Sequence, residues 1–371
     1  MAAERPRPSV LTVGGALIDT IAVIGNESIE RMSMTNADRA FLLLEQGSKT
    51  EAEIVSTHPG GGALNTAVSF ARLGFNVAAL IKISNDERGK AVQHRLSEEG
   101  ISGQFVVSTE EAPTGASVLI SAHDRDAAIF TFRGANTLLN ARDLDPKAFE
   151  RNVVYVSGLS DRSADCFPEI SRLAQKTGAF LATNPGIRQL TTRGDAFEKS
   201  LPHIDLLSMN VDEAQALVPR LAARTRKDMS GSKGDLDQRS PSLMRRGLTS
   251  GGFTMSLQHV LSALLDLGTR CVLLTDGKRG AFAAIEGGLT YCPSLKLDVV
   301  GTAGAGDAFS STFTALFATG SNVGEALQAA TVNAGSVVRF ADTQTGLLTS
   351  RALKLALAQA KGELRLQVSK L

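Results

Sequence analysis

The residue with the clearest capacity for chemistry is Asp307, which ends the run Gly301-Thr302-Ala303-Gly304-Ala305-Gly306 and begins an apolar helical stretch. A glycine-rich turn at a helix start presents several backbone N–H groups where the helix dipole favours an anion. Phosphoryl transfer needs such donors, because negative charge spreads over the oxygens of the moving group. A carboxylate in the same turn would repel phosphate if it were only structural, yet it is placed to accept a proton from an attacking hydroxyl. Asp307 is therefore the candidate base, with the N–H groups of Gly304, Ala305 and Gly306 as the candidate anion cradle. The plainer alternative is a first-turn acid that merely suits the helix dipole. The turn is not a Walker A loop, since no Gly-Lys-Ser or Gly-Lys-Thr follows the glycines. A dinucleotide fingerprint also fails, because Gly60 and Gly62 are followed by Asn65 where the third glycine would lie.

These residues need a scaffold, and the chain supplies alternating strand and helix signals. Residues 10–13 form a short apolar run ending in Gly14 and Gly15, which reads as a buried parallel strand whose far end delivers Asp19. In α/β sheets that end is where ligands bind. Leu64, Ala67, Val68 and Ala71 recur at helical spacing, with Gly74 as the C-terminal cap. The alternation continues through 77–81, 89–99, 153–156, 165–176, 180–183, 206–209, 211–218, 256–267, 271–275, 305–319 and 323–340. It predicts a mostly parallel sheet covered on both faces by helices. The β-branched segments 18–24, 51–57, 116–121 and 127–133 predict a small sheet outside the main fold, with lid strands spanning about 18–57 and 116–133. Residues 223–253, rich in Arg, Lys, Ser and Gly, read as a flexible surface insertion.

Bulk properties narrow the function. The 371 residues are 43% apolar and 21% charged, with 35 glycines, which describes a globular chain with many tight turns. A net charge of +1 gives no electrostatic reason to expect nucleic acid or an anionic membrane as partner. Cys166, Cys271 and Cys292 are few and dispersed, which suits a reducing compartment rather than a disulfide framework. No stretch reaches the roughly 20 apolar residues of a membrane helix. Ser369-Lys370-Leu371 spells the peroxisomal address, so the expected compartment is cytoplasmic in a bacterium and a peroxisome-like organelle (glycosome or peroxisome) in a eukaryote.

The segment from Gly301 to Phe309 resembles the C-terminal signature of the ribokinase (PfkB) family of carbohydrate and nucleoside kinases, written Asp-Thr-x-Gly-Ala-Gly-Asp. Gly60-Gly61-Gly62-Ala63-Leu64-Asn65, with Ala71-Arg72-Leu73-Gly74, is similar to its N-terminal signature. Asp19, Arg133-Gly134-Ala135-Asn136, Asn184-Pro185-Gly186, Asn210-Val211-Asp212-Glu213 and Thr275-Asp276-Gly277-Lys278-Arg279-Gly280 extend the likeness over nearly the whole chain outside 223–253. The resemblance implies a three-layer α/β/α sandwich with a small β-sheet lid, and ATP-dependent transfer to a sugar or nucleoside hydroxyl. It implies that Asp19 and Asn65, with the backbone of Gly61 and Gly62, hold acceptor hydroxyls. Arg133, at the return from the lid, is placed to clamp phosphate, the alternative being a solvated arginine on an exposed strand. Glu213 and Asn210 would order magnesium beside the donor phosphates. Thr275, Gly277, Asn184 and Thr302 would meet the nucleotide's phosphates and ribose, and Gly280 and Asn333 its adenine.

Two departures limit the carry-over. Gly301 stands where the signature has Asp, a residue that in many relatives helps bind an activating monovalent cation, so potassium dependence is in question. Ser157-Gly158 stands where ribokinase itself has a glutamate touching ribose, which removes ribose as the default acceptor. The competing readings are a nucleoside rather than sugar kinase and a catalytically silent sugar- or nucleotide-binding protein of the same fold. Exposed lid strands also predict a homodimer, because open sheet edges need covering.

Overall fold

The computed structural model describes residues 7–25, 30–33, 40–43, 47, 49–122, 128–224 and 240–371. Its centre is a ten-stranded sheet. From one edge the order is Gln367–Ser369, Gly288–Cys292, Ala281–Ile285, Cys271–Thr275, Leu206–Asn210, Phe180–Thr183, Val153–Val156, Ser9–Gly14, Asn76–Ser84 and Val107–Thr109. Cys271–Thr275 to Val107–Thr109 run parallel, and the three strands at the other edge are antiparallel. The continuous apolar runs foretold this arrangement, since a strand buried on both faces has no polar side to alternate with.

Alternate residues of one strand feed two cores. Leu11, Val13, Val154 and Val156 pack with Phe167, Ile170, Leu217, Val260 and Leu264 on one face. Val10, Val153 and Tyr155 pack with Leu64, Val68, Phe70, Phe313 and Leu327 on the other. Each buried aliphatic or aromatic side chain contributes roughly 1.5–3 kcal/mol, which sets the register of every strand. The result is the three-layer α/β/α sandwich. No helix among the described residues is long and apolar enough to cross a membrane.

A second sheet of four strands, ordered Ala52–Gly60, Leu17–Ile24, Gly115–Ala122 and Ala128–Phe132, stands beside the main one. It is mixed, because Leu17–Ile24 runs parallel to Gly115–Ala122 and antiparallel to Ala52–Gly60. Its inner residues Ile21, Val23 and Leu119 pack against Ala303 and Ala341, next to the glycine turn. Its outer face leaves Val55, Phe130 and Phe132 at least half exposed (65%, 59% and 52%).

The expected insertion at 223–253 is structured where it is described. Ser242–Arg246 is a short helix, and Leu248–Ser250 pairs antiparallel with Phe253–Met255. Leu243, Leu248 and Met255 are buried in the main core. Gly251 and Gly252, with φ of 57° and 81°, form the left-handed two-residue connection that such a hairpin requires. Residues 225–239 lie outside the described part of the chain.

Candidate active site

The chain reverses direction across the sheet between Ser9–Gly14 and Val153–Val156: the first strand leads outward to Asn76–Ser84, the second the opposite way to Phe180–Thr183. Such a switch point opens a crevice beyond the carboxyl ends of the two strands. A cavity of about 220 Å³ lies there, lined by Gly15 and Ser157, which follow those strands, and among others by Gly61, Gly62, Arg133 and Asp307.

Asp307 enters it from the first turn of the helix Ala305–Ala318, whose N-cap Gly304 has a φ of 78° and gives no side-chain cap. Only glycine suits that backbone, and a Cβ there would also lie 2.7 Å from Thr343 Cβ. Of the first-turn N–H groups, Ala305 N makes one long bond to Thr302 O at 3.4 Å, and those of Gly306 and Asp307 have neither an intrahelical partner nor a capping side chain among the described residues. A Cβ added at exposed Gly306 would meet open space, so this turn is accessible to a ligand.

One carboxylate oxygen of Asp307 is held. Asn65 Nδ2 donates to Asp307 Oδ2 at 2.8 Å, across 242 residues of chain. The Asn65 amide is itself fixed, because its Oδ1 accepts from Thr343 Oγ1 at 2.9 Å and Gln344 Nε2 at 3.0 Å. Gln344 is oriented in turn by Arg95 Nε, which donates to its Oε1 at 2.8 Å. This chain leaves the Asn65 amide no alternative but to point its N–H₂ at Asp307. Asp307 Oδ1 makes no hydrogen bond among the described residues, and a Cβ at the cavity residue Gly62 would lie 3.6 Å from it. Burial pushes the Asp307 carboxyl up to about 6; the Asn65 bond opposes that rise and the nearby Asp19 charge adds to it.

Asp19 lies on the lid strand Leu17–Ile24, opposite His58 on one neighbour and Ser117 on the other. It is buried, Ser117 Oγ donates to its Oδ1, and desolvation raises its pKa against that bond and the His58 charge. The position a Cβ would take at Gly60 falls on Asp19 Oδ2, so the lid acid sits directly against the turn that carries Gly61 and Gly62. Asn136 uses its amide as a staple, accepting from Ala16 N at 3.0 Å and donating to Ala16 O at 2.9 Å. That clamps the lid's return segment to the strand end beside the cavity.

Along the same sheet edge, Asn184 follows Phe180–Thr183, and Asn210 ends its strand in register with Thr275 of the next. Glu213 and Asn210 cap each other, Asn210 N donating to Glu213 Oε2 and Glu213 N to Asn210 Oδ1, both at 2.9 Å. Asn184 Nδ2 reaches Glu213 Oε2 at 3.4 Å. Burial raises the Glu213 carboxyl to about 7; the Asn210 and Asn184 bonds oppose it and the Asp307 charge adds to it, so the two acids share one field. No group of three or more His, Cys, Asp or Glu that could cage a metal occurs among the described residues. A half-buried carboxylate with Oε1 making no hydrogen bond among the described residues suits a magnesium ion carried mainly by phosphates and water. Gly277 and Gly280 turn the chain just beyond Thr275, and Thr302 is exposed in the glycine turn.

Asn333 departs from expectation. Its side chain is fully buried, with Nδ2 donating to Thr312 Oγ1 at 2.7 Å and Oδ1 accepting from Leu348 N at 2.9 Å. It ties two helices and a loop together, with both ends of its amide engaged inside the protein. Sequence reasoning also passed over Thr343, Gln344 and Arg95, which no local pattern marks. The same holds for Tyr155, whose hydroxyl meets Ser310 Oγ at 2.6 Å while Ser310 Oγ donates to Gly306 O at 2.7 Å, bracing the glycine turn from the core.

A crevice at a switch point, an acid beside an anion cradle and a sheet lid define a phosphotransferase of the ribokinase fold that acts on hydroxyl acceptors. The chain matches the pfkB family carbohydrate kinase model over residues 20–350 and belongs to that family. It is 25% identical over 269 residues to an ATP-dependent ribose-1-phosphate kinase of Halopiger xanaduensis, covering 72% of this chain and 76% of that protein. It is 23% identical over 334 residues to a deoxyribokinase of Salmonella typhi, covering 88% and 94%. An E. coli protein described as a ribokinase II, solved with ATP and Mg²⁺, superposes with a TM-score of 0.71 at 16% identity over 95% of this chain and 99% of that one.

Proposed function

We propose that this carbohydrate or nucleoside kinase moves the γ-phosphoryl group of ATP to a hydroxyl of a monosaccharide-sized acceptor, with Asp307 as the base. The observation that carries this reading is the bond from Asn65 Nδ2 to Asp307 Oδ2, which leaves Oδ1 open toward the cavity. With its carboxyl at about 6, Asp307 is ionised at neutral pH and still basic enough to accept a proton. As the acceptor oxygen forms its bond to the γ-phosphorus and the bond to the β-phosphate oxygen breaks, the hydroxyl proton passes to Oδ1. The N–H groups of Gly304, Ala305 and Gly306 take the charge on the moving oxygens. Magnesium, bound with the nucleotide, would neutralise the phosphates, held by Glu213 directly or through water, with Asn184 and Asn210 keeping that carboxylate in place. Asp19 and Asn65, with the Gly61–Gly62 backbone, hold the acceptor's other hydroxyls.

Thr275 and Gly277 serve the nucleotide's phosphates and ribose, as do Asn184 and Thr302, and Gly280 its adenine edge. Exposed Val299, Val300 and Phe340, beside Gly301, give the base an apolar bed in place of Asn333. The cavity volume falls below the roughly 300–1,000 Å³ of sites for drug-sized ligands, which favours a single sugar over a nucleoside. Gly301 brings no carboxylate for a monovalent cation, so turnover should be alike in potassium and sodium. The apolar outer face of the lid suits a homodimer contact, which equilibrium sedimentation would test. The deciding experiment is acceptor-dependent ADP formation by the whole chain with Mg-ATP. Asp307→Asn should lower its turnover on the order of 100- to 10,000-fold. Turnover close to that of the unaltered chain would remove Asp307 as base.

A further inference from the structure

Arg133 lines the cavity and is half-buried, yet its guanidinium makes no hydrogen bond or ion pair among the described residues. Two other partly buried arginines are saturated: Arg72 binds Glu99 and two backbone carbonyls, and Arg95 binds Glu98, Glu99 and Gln344. A guanidinium taken partly out of water without a partner is costly, and its persistence in a cavity wall points to a partner that arrives with the ligand. Burial lowers the Arg133 pKa, and the charge of Arg188 lowers it further; only Asp161 opposes them. Arg188 is exposed, on the six-residue helix Ile187–Thr192, and has no ion pair among the described residues either. Its helix is joined to the cavity wall through Gly186, since a Cβ on the lining residue Gly158 would lie 3.0 Å from Gly186 N. Asp161, the one nearby acid, is held at a φ of 53° that side chains rarely adopt. Arg133 thus lies in the field of a second cation, Arg188, and of the carboxylate of Asp161, which follows the lining residue Ser160, while Asp307 is the acid of the cavity wall.

We infer that the acceptor is itself an anion, a sugar carrying a phosphate ester or a carboxylate, and that Arg133 and Arg188 bind that group while Asp19 and Asp307 handle the hydroxyls. A neutral sugar would leave the half-buried Arg133 guanidinium without a partner. The inference rests on the kinase reading and names its substrate class. A planar guanidinium binds phosphate and carboxylate oxygens alike through paired N–H donors, so the wall alone fixes the shared charge and not the group.

The test compares ADP formation by the whole chain with ribose, ribose 5-phosphate, fructose, fructose 6-phosphate and gluconate. Titration calorimetry with the same five compounds reads binding independently of turnover. A charge-assisted contact predicts a preference of about 10- to 100-fold in kcat/KM, and in affinity, for the anionic compounds over the neutral ones. Preference among the phosphates or for gluconate identifies which anion is read. Arg133→Gln and Arg188→Gln should each collapse that preference, acting far less on the neutral sugars. Equal or better use of the neutral sugars would overturn the inference while leaving the kinase reading intact. So would an Arg133→Gln variant that loses turnover equally on both kinds of acceptor, since the guanidinium would then serve the transferred phosphoryl group. ADP formation from none of the five, with anionic compounds still bound more tightly, would sink the kinase reading and keep the anion site; no binding preference would sink the site.

Discussion

On the side of the cleft that we propose holds the acceptor, each acid or amide is held by another side chain from far along the sequence: Asp307 by Asn65, Asn65 by Thr343 and Gln344, Asp19 by Ser117. On the side proposed for the nucleotide the donors are backbone N–H groups, or side chains braced mainly by near neighbours, as Asn210 and Glu213 brace each other across three residues, with Asn184 reaching Glu213 at a longer 3.4 Å. The difference follows from what each side must do. A hydroxyl has to meet one carboxylate oxygen at hydrogen-bonding distance, which demands an immobilised side chain. A triphosphate is caught by charge, and a helix N-terminus supplies that from the main chain.

Gly304 is where the two sides meet, since its left-handed backbone forms the cradle and its Cα packs on Thr343, which holds Asn65. Gly304→Ala should therefore damage both. We expect turnover to fall on the order of 100- to 1,000-fold, the cost of losing a fixed oxyanion donor, with the circular dichroism spectrum retained. A variant with nearly full turnover would break the comparison at its join. Glu213→Gln should act on the nucleotide side alone. The magnesium concentration for half-maximal rate should rise about 10- to 100-fold, as when a group supporting a metal is removed, with acceptor KM little changed. A rise in acceptor KM instead would show that the two sides are not separable.

Gln344→Leu sharpens the acceptor side. Without the Nε2 donor, the Asn65 amide can turn its carbonyl toward Asp307, which disfavours the carboxylate. Turnover at neutral pH should drop about tenfold, equivalent to ~1.4 kcal/mol. The acid limb of the pH–rate profile, expected at about 6 in the unaltered chain, should move upward. A uniform loss with an unmoved limb would reduce Gln344 to a packing role.

The same contrast explains what could be read from residues alone. The cradle and Asp307 are local patterns, legible as spacing, whereas Asn210 and Glu213 were marked only by the family resemblance and their reciprocal cap emerges from the structure. The parallel strands were legible because burial on both faces leaves uninterrupted apolar runs, as in Val153–Val156. Thr343 and Gln344 were not, because their partner Asn65 is 278 and 279 residues away and nothing in their own neighbourhood marks them. Asn333 misled for the opposite reason: a polar residue on an apolar helix looks like a ligand contact, whereas here it satisfies Leu348 N and Thr312. Composition hid the hairpin at 248–255, where Leu248 and Met255 are single apolar anchors among polar residues and only the Gly251-Gly252 pair marks the turn.

The smallest expected effect is on stability, and it tests whether Asp307 is held in the tuned state that the acceptor side implies. Burial, aided by Asp19 and opposed by Asn65, lifts its carboxyl from 3.8 to about 6. Between those values the folded chain keeps a proton that the unfolded chain has released. Stability from this residue is therefore fully present below 3.8 and is lost as pH rises through about 6. An asparagine has no proton to lose and can still accept from Asn65 Nδ2. Asp307→Asn should thus be more stable than the unaltered chain at neutral pH, by about 1–3 kcal/mol once the water-facing oxygen is allowed for. The gain should shrink as pH falls from about 6 toward 3.8, read from urea midpoints across that range. A variant that loses turnover and gains stability together would show a carboxylate kept at a cost because the reaction needs it; one that gains nothing at neutral pH would show an acid at its ordinary pKa, with no tuning to explain.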